Sequence, residues 1–172
     1  MFEKFDIPCQ TQVAGLYSGT LREDLEPFAP ARFVPAMRTP DGITVGDTLA
    51  MGETLAERHP DAGLWPEDPA ARALARWLCA EMHSSFTALR DDCPMYLRHA
   101  WEGFAPSDEV RADLARLEAL WSLARERHGG DTPWLFGGYS LADVFFAPAA
   151  MRIAAYGLPV GPDAQALSLI HI

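Results

Sequence analysis

"RFVPAM", residues 32–37, sets a proline inside an apolar run that otherwise predicts a β-strand. Proline has no N–H for a strand ladder, so within sheets it occurs at edges, strand starts or bulges. One interpretation is an ordinary edge strand with a trans peptide bond. The other is a cis bond between Val34 and Pro35, which turns the Val34 backbone outward and leaves it for a ligand.

The residues on either side of this stretch predict a small α/β unit. After it, "PDGITVG" (40–46) predicts a turn and a second strand, and "DTLAMGETLAERHP" (47–60) predicts a helix. Before it, "CQTQVAGLY" (9–17) predicts a strand, and "LREDLEPFAP" (21–30) has room for only a short helix between its prolines. The expected order is strand, short helix, strand, strand, helix.

A turn-rich segment, 63–68, separates this unit, 1–62, from a region of long helical periods, 69–166. The second region contains apolar residues at helical spacing and no strand pattern. We therefore expect an α/β unit followed by an all-helical unit. The predicted helices are one from Pro69 to about Asp92, one capped by Ser107 and ending before Gly129, and one capped by Ser140.

The third of these helices carries a specific start signal, "GYSLAD", residues 138–143. Ser140 and Asp143 stand at the N-cap and third helical positions, as in a capping box with Asp in place of the usual Glu. Tyr139 and Val144 are placed for a hydrophobic staple. The motif therefore predicts the first turn of this helix and the angle at which the chain enters it.

Composition excludes several classes of protein. With 49 % hydrophobic and 22 % charged residues the chain is typical of a soluble globular protein, and its net charge of −10 without a basic run disfavours nucleic acid binding. No apolar run reaches the roughly 18 to 20 residues of a membrane-spanning helix, and the start "MFEKFDIP" does not resemble a secretion signal. We expect a cytoplasmic protein that binds neither nucleic acid nor a membrane.

The three cysteines, Cys9, Cys79 and Cys93, are odd in number and lack the spacing of a disulfide framework or a zinc site. Cys79 and His83 lie four residues apart on one predicted helix, but no further ligands stand at usable spacing, so no metal is expected. Cys9, in the predicted strand 9–17, is expected to be a packing residue because free cysteines are usually buried.

The order of these motifs resembles that of the cytosolic glutathione transferases, bacterial type. Three pieces carry the resemblance, which covers about 2–166: "RFVPAM" at the family's cis-proline strand, "GDTLAMGETLAERHP" at its acidic residue, Ser/Thr and helix, and "LFGGYSLADVFFAP" at its capping box. The resemblance implies a thioredoxin-like N-terminal domain whose first strand is missing, followed by the family's all-helical C-terminal domain. It therefore implies a chain truncated at both ends.

The same resemblance implies a glutathione site. The backbone of Val34, before cis Pro35, would pair with the cysteinyl unit of glutathione like an added strand. Thr48 would donate to the γ-glutamyl carboxylate at the helix N-terminus, and Asp47 would pair with its ammonium group; plain N-capping by these two residues is the alternative, and both roles are compatible. Arg32 is either a donor to the glycyl carboxylate or a solvated surface charge.

No catalytic residue can be named from the residues present. The family places a Ser, Cys or Tyr at the end of its first strand, and neither Cys9 nor Tyr17 matches that position. The expected function is that of a glutathione transferase, in which the glutathione thiolate attacks a small apolar electrophile. The alternative is a transferase-like binding or scaffold protein without turnover. The resemblance also implies a homodimer.

The last residues, "LSLIHI" (167–172), do not continue the preceding helical patterns. The codons CTG TCT CTT ATA CAC ATC would encode them, and that sequence resembles the transposase mosaic end used in preparing sequencing libraries. We therefore expect 167–172 to be an adapter-derived tail; a short apolar terminal segment is the alternative.

Overall fold

The computed structural model describes residues 1–96 and 98–171; Leu97 and Ile172, the last residue of the expected tail, lie outside the described residues. The chain divides into two compact units, Met1–Leu64 and Trp65–Ile172, and the predicted linker 63–68 spans this division. The helices and strands are α1 (Leu21–Asp24), β1 (Met37–Arg38), β2 (Thr44–Val45), α2 (Thr48–Arg58), α3 (Pro69–Ser84), α4 (Thr87–Asp92), α5 (Asp108–Ala124), α6 (Leu141–Tyr156) and α7 (Pro162–Ile170).

The N-terminal unit is built on the predicted hairpin and the helix that follows it. Strands β1 and β2 are antiparallel, with Met37 opposite Val45, and Gly42 in the turn has a φ of 88°, which a side chain would strain. Helix α2 begins directly after the N-cap residue Asp47. The hairpin and this helix therefore confirm the interpretation of 37–60.

The predicted strand at 9–17 is wrong, and the strand predicted from 32–37 is shorter than expected. Residues 8–15 have no regular structure, and Val13 and Tyr17 are 88 % and 99 % exposed. A strand persists only where a neighbour pairs its N–H and C=O groups, and the part of the chain that the structure describes pairs only β1 with β2. The fold is mostly helical with a two-stranded sheet, consistent with a transferase-like fold; the thioredoxin-like character of the N-terminal unit stays a prediction.

The helical unit packs around α6, which contacts both α3 and α7. The predicted helix 69–92 is divided in two at Phe86, whose φ is 61° and whose side chain is buried. The start of α4 is capped by a residue of another helix. The Asp113 carboxylate on α5 accepts a hydrogen bond from the Leu89 backbone N–H (2.9 Å). The guanidinium of Arg90 donates to the Ser85 and Met82 carbonyls at the end of α3.

The other two helix starts agree with the sequence. The Ser107 hydroxyl caps α5 by accepting from the Val110 N–H (3.3 Å). At α6 the capping box is complete: the Ser140 side chain accepts from the third helical N–H, and the Asp143 carboxylate accepts from the Ser140 N–H at 2.9 Å. Both predictions are confirmed because each motif acts within one helical turn. None of the helices in the described residues is both long and apolar enough to cross a membrane.

The terminal residues take part in this packing. Leu167 and Ser168 are buried in α7, and His171 Nε2 lies 3.1 Å from the Asp143 Oδ1 atom of the capping box. The expectation that these residues do not continue a helix is therefore wrong for 167–170. An apolar helix with a buried face needed only the neighbouring α6 to form. The adapter origin of 167–172 stays a prediction.

A buried arginine joins α6 to the end of α4. Arg152 Nε donates to the Cys93 carbonyl (2.8 Å), and its NH1 group donates to the Pro148 carbonyl (3.1 Å). Burial lowers the pKa of Arg152, and the positive charge of Arg90 adds to this effect. Tyr156 makes a second bond of the same kind, from its hydroxyl to the Pro94 carbonyl (2.8 Å). Side chains of α6 thus satisfy the carbonyls that follow α4.

Replacing Ser140 by Ala should lower the free energy of unfolding by about 1 kcal/mol, because the variant lacks the N-cap hydroxyl. Chemical denaturation monitored by circular dichroism measures the change. Ser122→Ala, at an exposed position within α5, is the matched control and should leave the midpoint unchanged. Equal midpoints for Ser140→Ala and the parent would contradict the role of the capping box.

Replacing Arg152 by Met should cost about 1 to 3 kcal/mol, because it keeps the apolar stem and leaves the Cys93 and Pro148 carbonyls without their donor. The control is Arg127→Met, which removes an exposed arginine of the same unit. Urea denaturation of both variants checks the prediction. If the two lose equal stability, Arg152 does not act through these bonds.

Candidate functional site

The Val34–Pro35 peptide bond is cis, as "RFVPAM" predicted. Val34 is 37 % exposed, and the bond lies just before β1 begins at Met37. The Ala29–Pro30 bond is also cis, which the sequence analysis did not predict. The backbone at Val34 is therefore at the surface of the N-terminal unit.

The hairpin brings the two halves of the predicted glutathione site to one end. Strands β1 and β2 are antiparallel, so the chain enters β1 and leaves β2 at the same end of the hairpin. The Val34–Pro35 bond lies just before β1, and Asp47 lies just after β2. A Cβ built on Gly46 would lie 3.5 Å from the Ala31 Cβ, so the two connecting segments are in contact. The segments that precede β1 and follow β2 thus lie side by side at this end of the hairpin.

Asp47 caps the helix at this region. Its Oδ1 atom accepts hydrogen bonds from the backbone N–H groups of Leu49 (2.9 Å) and Ala50 (3.0 Å). The positive end of the α2 dipole thus lies beside the hairpin end. Thr48, the first residue of α2, is half-buried.

Arg32 lies two residues before Val34 and is exposed. Its guanidinium is long enough to contact a ligand on the Val34 backbone or to remain in solvent. The neighbouring Phe33 is 76 % exposed, so the surface beside Val34 is also apolar.

The far end of the hairpin has its own charge pair and does not belong to this region. Arg58 NH2 lies 2.6 Å from the Asp41 Oδ1 atom. Hydrogen bonds from the Thr39 side chain and from Arg58 hold the pKa of Asp41 below its ordinary value. The pair ties the end of α2 to the turn between β1 and β2.

The described cysteines include no evident nucleophile. The expectation that Cys9 packs in a strand is wrong: it is exposed in a segment without regular structure, and its Sγ lies 3.9 Å from the Thr11 hydroxyl. Cys79 and Cys93 are buried, as expected for idle thiols, and burial raises the pKa of Cys93, which disfavours a thiolate. Within 1–96 and 98–171, no three His, Cys, Asp or Glu side chains are grouped to hold a metal.

The chain is similar to several maleylacetoacetate isomerases. It is 36 % identical to that of Rattus norvegicus over 69 residues, which are 40 % of this chain and 32 % of the relative. It is 28 % identical to that of Pseudomonas aeruginosa over 130 residues, 75 % of this chain and 60 % of the relative. A probable maleylacetoacetate isomerase of Caenorhabditis elegans is 26 % identical over 162 residues, 91 % of this chain and 72 % of that protein.

No protein-family model matches the chain. The chain spans about a third of the length of the rat relative and 60 % of that of the bacterial one. At these identities the three relatives, which are enzymes by name, support a relationship to the glutathione transferase family.

Proposed function

We propose that this chain is part of a glutathione transferase and that its N-terminal unit binds glutathione. The observation that carries the proposal is the juxtaposition of the cis Val34–Pro35 bond with the N-terminus of α2 at one end of the hairpin. A surface backbone next to a strand can pair with a peptide, and a helix N-terminus can bind a carboxylate. Glutathione, a tripeptide with two carboxylates, matches both.

Each group of the ligand has a proposed partner in this chain. The Val34 N–H and C=O pair with the cysteinyl unit, and Thr48 donates to the γ-glutamyl carboxylate. Asp47 keeps one oxygen on the helix and uses its negative charge to attract the γ-glutamyl ammonium. Arg32, the exposed cation nearest Val34 in sequence, is the proposed partner of the glycyl carboxylate.

The proposed chemistry is nucleophilic attack by the glutathione sulfur on an electrophilic carbon. In a transfer reaction, a carbon–sulfur bond forms and a leaving group departs with its electron pair. In an isomerisation, the sulfur adds to a double bond, the carbon skeleton rotates, and the sulfur leaves again, so glutathione is not consumed. The names of the relatives favour isomerisation of maleylacetoacetate, an anionic substrate; the sequence-based expectation was an apolar electrophile.

We further propose that the protein acts as a cytoplasmic homodimer. The support is the family relationship. Sedimentation velocity at micromolar concentration separates a dimer from a monomer, and a single monomeric species would overturn this part of the proposal.

Thr48→Ala should weaken glutathione binding by about 1 to 3 kcal/mol, because it removes a hydroxyl donor to a charged group. Isothermal titration calorimetry of the full chain with glutathione measures the loss. The matched control is Thr54→Ala on the same helix, where the hydroxyl donates to the Ala50 carbonyl (2.7 Å). This control should bind as the parent does.

The result would count against the site if Thr48→Ala and Thr54→Ala bound glutathione equally well. The two monomethyl esters of glutathione, one at each carboxylate, give a second measurement. Esterifying the γ-glutamyl carboxylate should abolish the difference between parent and Thr48→Ala, whereas esterifying the glycyl carboxylate should preserve it.

Turnover separates the enzyme from a binding or scaffold protein. Maleylacetoacetate tests isomerisation, and 1-chloro-2,4-dinitrobenzene, an apolar aryl chloride, tests transfer. Glutathione-dependent turnover of either compound that decreases in Thr48→Ala supports the proposal. Saturable glutathione binding with neither reaction supports the scaffold protein.

A further inference from the structure

The helical unit carries a connected cluster of aromatic rings, which we call the aromatic shelf. Its members lie in or next to the segment between α4 and α5 and at the end of α6: Tyr96, His99, Trp101, Phe104 and Tyr156. Trp101 is nearly parallel to Tyr156, with ring centroids 5.5 Å apart, and Phe104 meets Tyr156 edge-on at 5.0 Å. Tyr96 and His99 contact Trp101 at 6.3 and 6.4 Å.

Part of this shelf faces solvent. Tyr96 is 51 % exposed and Trp101 46 % exposed, while Tyr156 beneath them is buried. Large aromatic side chains usually gain free energy by burial, and the exposed parts of these two rings do not make that gain. Contiguous exposed apolar surface of this kind commonly marks a binding site.

Hydrogen bonds to main-chain carbonyls hold the shelf in place. The Trp101 N–H donates to the Ala155 carbonyl of α6 (2.7 Å), and the Tyr156 hydroxyl donates to the Pro94 carbonyl (2.8 Å). Arg152 fixes the preceding carbonyl of Cys93. These bonds hold Pro94 and Trp101 against the end of α6, so a ligand loses less entropy in ordering these two residues.

A pocket of about 370 Å³ adjoins the shelf. One wall is formed by Tyr96, Arg98 and His99, and the other by Met151, Ala154 and Ala155 of α6. Its volume lies within the range of small-molecule sites, roughly 300 to 1,000 Å³. The α6 residues that line it, Met151, Ala154 and Ala155, are all apolar.

The charge of the pocket is opposite to that of the chain. Among the described residues that line it, Arg98 is a cation and none is a carboxylate. The whole chain has a net charge of −10. An aromatic wall, an apolar wall and one exposed guanidinium together select a flat apolar body with a single negative charge.

We propose that this pocket binds a planar aromatic carboxylate, with its ring against Tyr96 and the α6 alanines and its carboxylate on Arg98. The site is formed within the helical unit alone. It does not depend on the proposed glutathione site.

The test is isothermal titration calorimetry of the full chain with naphthalene-2-carboxylate. Two ligands with the same ring system, the neutral 2-naphthamide and the cationic 2-naphthylmethylamine, isolate the effect of the ligand's charge on its affinity. We expect saturable 1:1 binding of the carboxylate, weaker binding of the amide by about 3-fold, and still weaker binding of the amine.

Variants separate the ring contact from the charge contact. Tyr96→Leu should weaken the carboxylate and the amide alike, by about 5-fold. Arg98→Gln should remove the preference for carboxylate over amide while leaving amide binding intact. The matched controls are Trp77→Leu, at another exposed aromatic side chain of this unit, and Arg127→Gln, at another exposed cation; both should bind as the parent does.

Thr48→Ala, which alters the proposed glutathione site, should leave naphthalene-2-carboxylate binding unchanged. The inference is overturned by the absence of saturable binding, by equal affinity for the carboxylate and the amine, or by equal losses in Tyr96→Leu and Trp77→Leu. Circular dichroism melts of all variants show whether each is folded before its affinity is compared.

Discussion

The buried carboxylate of Asp143 is the interaction on which the helical unit depends. Its two oxygens accept hydrogen bonds from the Ser140 N–H and hydroxyl, from the Leu135 N–H and from His171. One side chain therefore fixes the start of α6, the loop before it and the end of α7. A buried carboxylate is stable only when its lone pairs are occupied, so removing any partner affects the others.

The same requirement for paired buried groups explains how α4 is held. Asp113 accepts from the start of α4, and Arg152 donates to the carbonyl after its end. A six-residue helix is too short to be stable by itself, so these bonds from α5 and α6 supply what its own length does not.

The N-terminal unit depends on a different device, the hairpin. Its register brings the cis Val34–Pro35 bond and the Asp47 cap to one end, although eleven residues separate Pro35 from Asp47 in the sequence. The proposed glutathione site therefore needs little more of this unit than β1, β2 and the first turn of α2. This is compatible with a region before α1 in which residues 8–15 have no regular structure.

The sequence by itself determined the features that act within a few residues: the caps at Asp47, Ser107 and Ser140, the hairpin turn and the Val34–Pro35 isomer. Periodicity likewise located the helices because an apolar face repeats every turn. Only the tertiary structure decided that residues 9–17 remain unpaired, that the chain breaks at Phe86, and that 167–170 are helical. The break at Phe86 and the helix at 167–170 depend on partners 24 and 28 residues away, and pairing of 9–17 needs a neighbouring strand that the described residues do not contain; the local pattern carries no record of either.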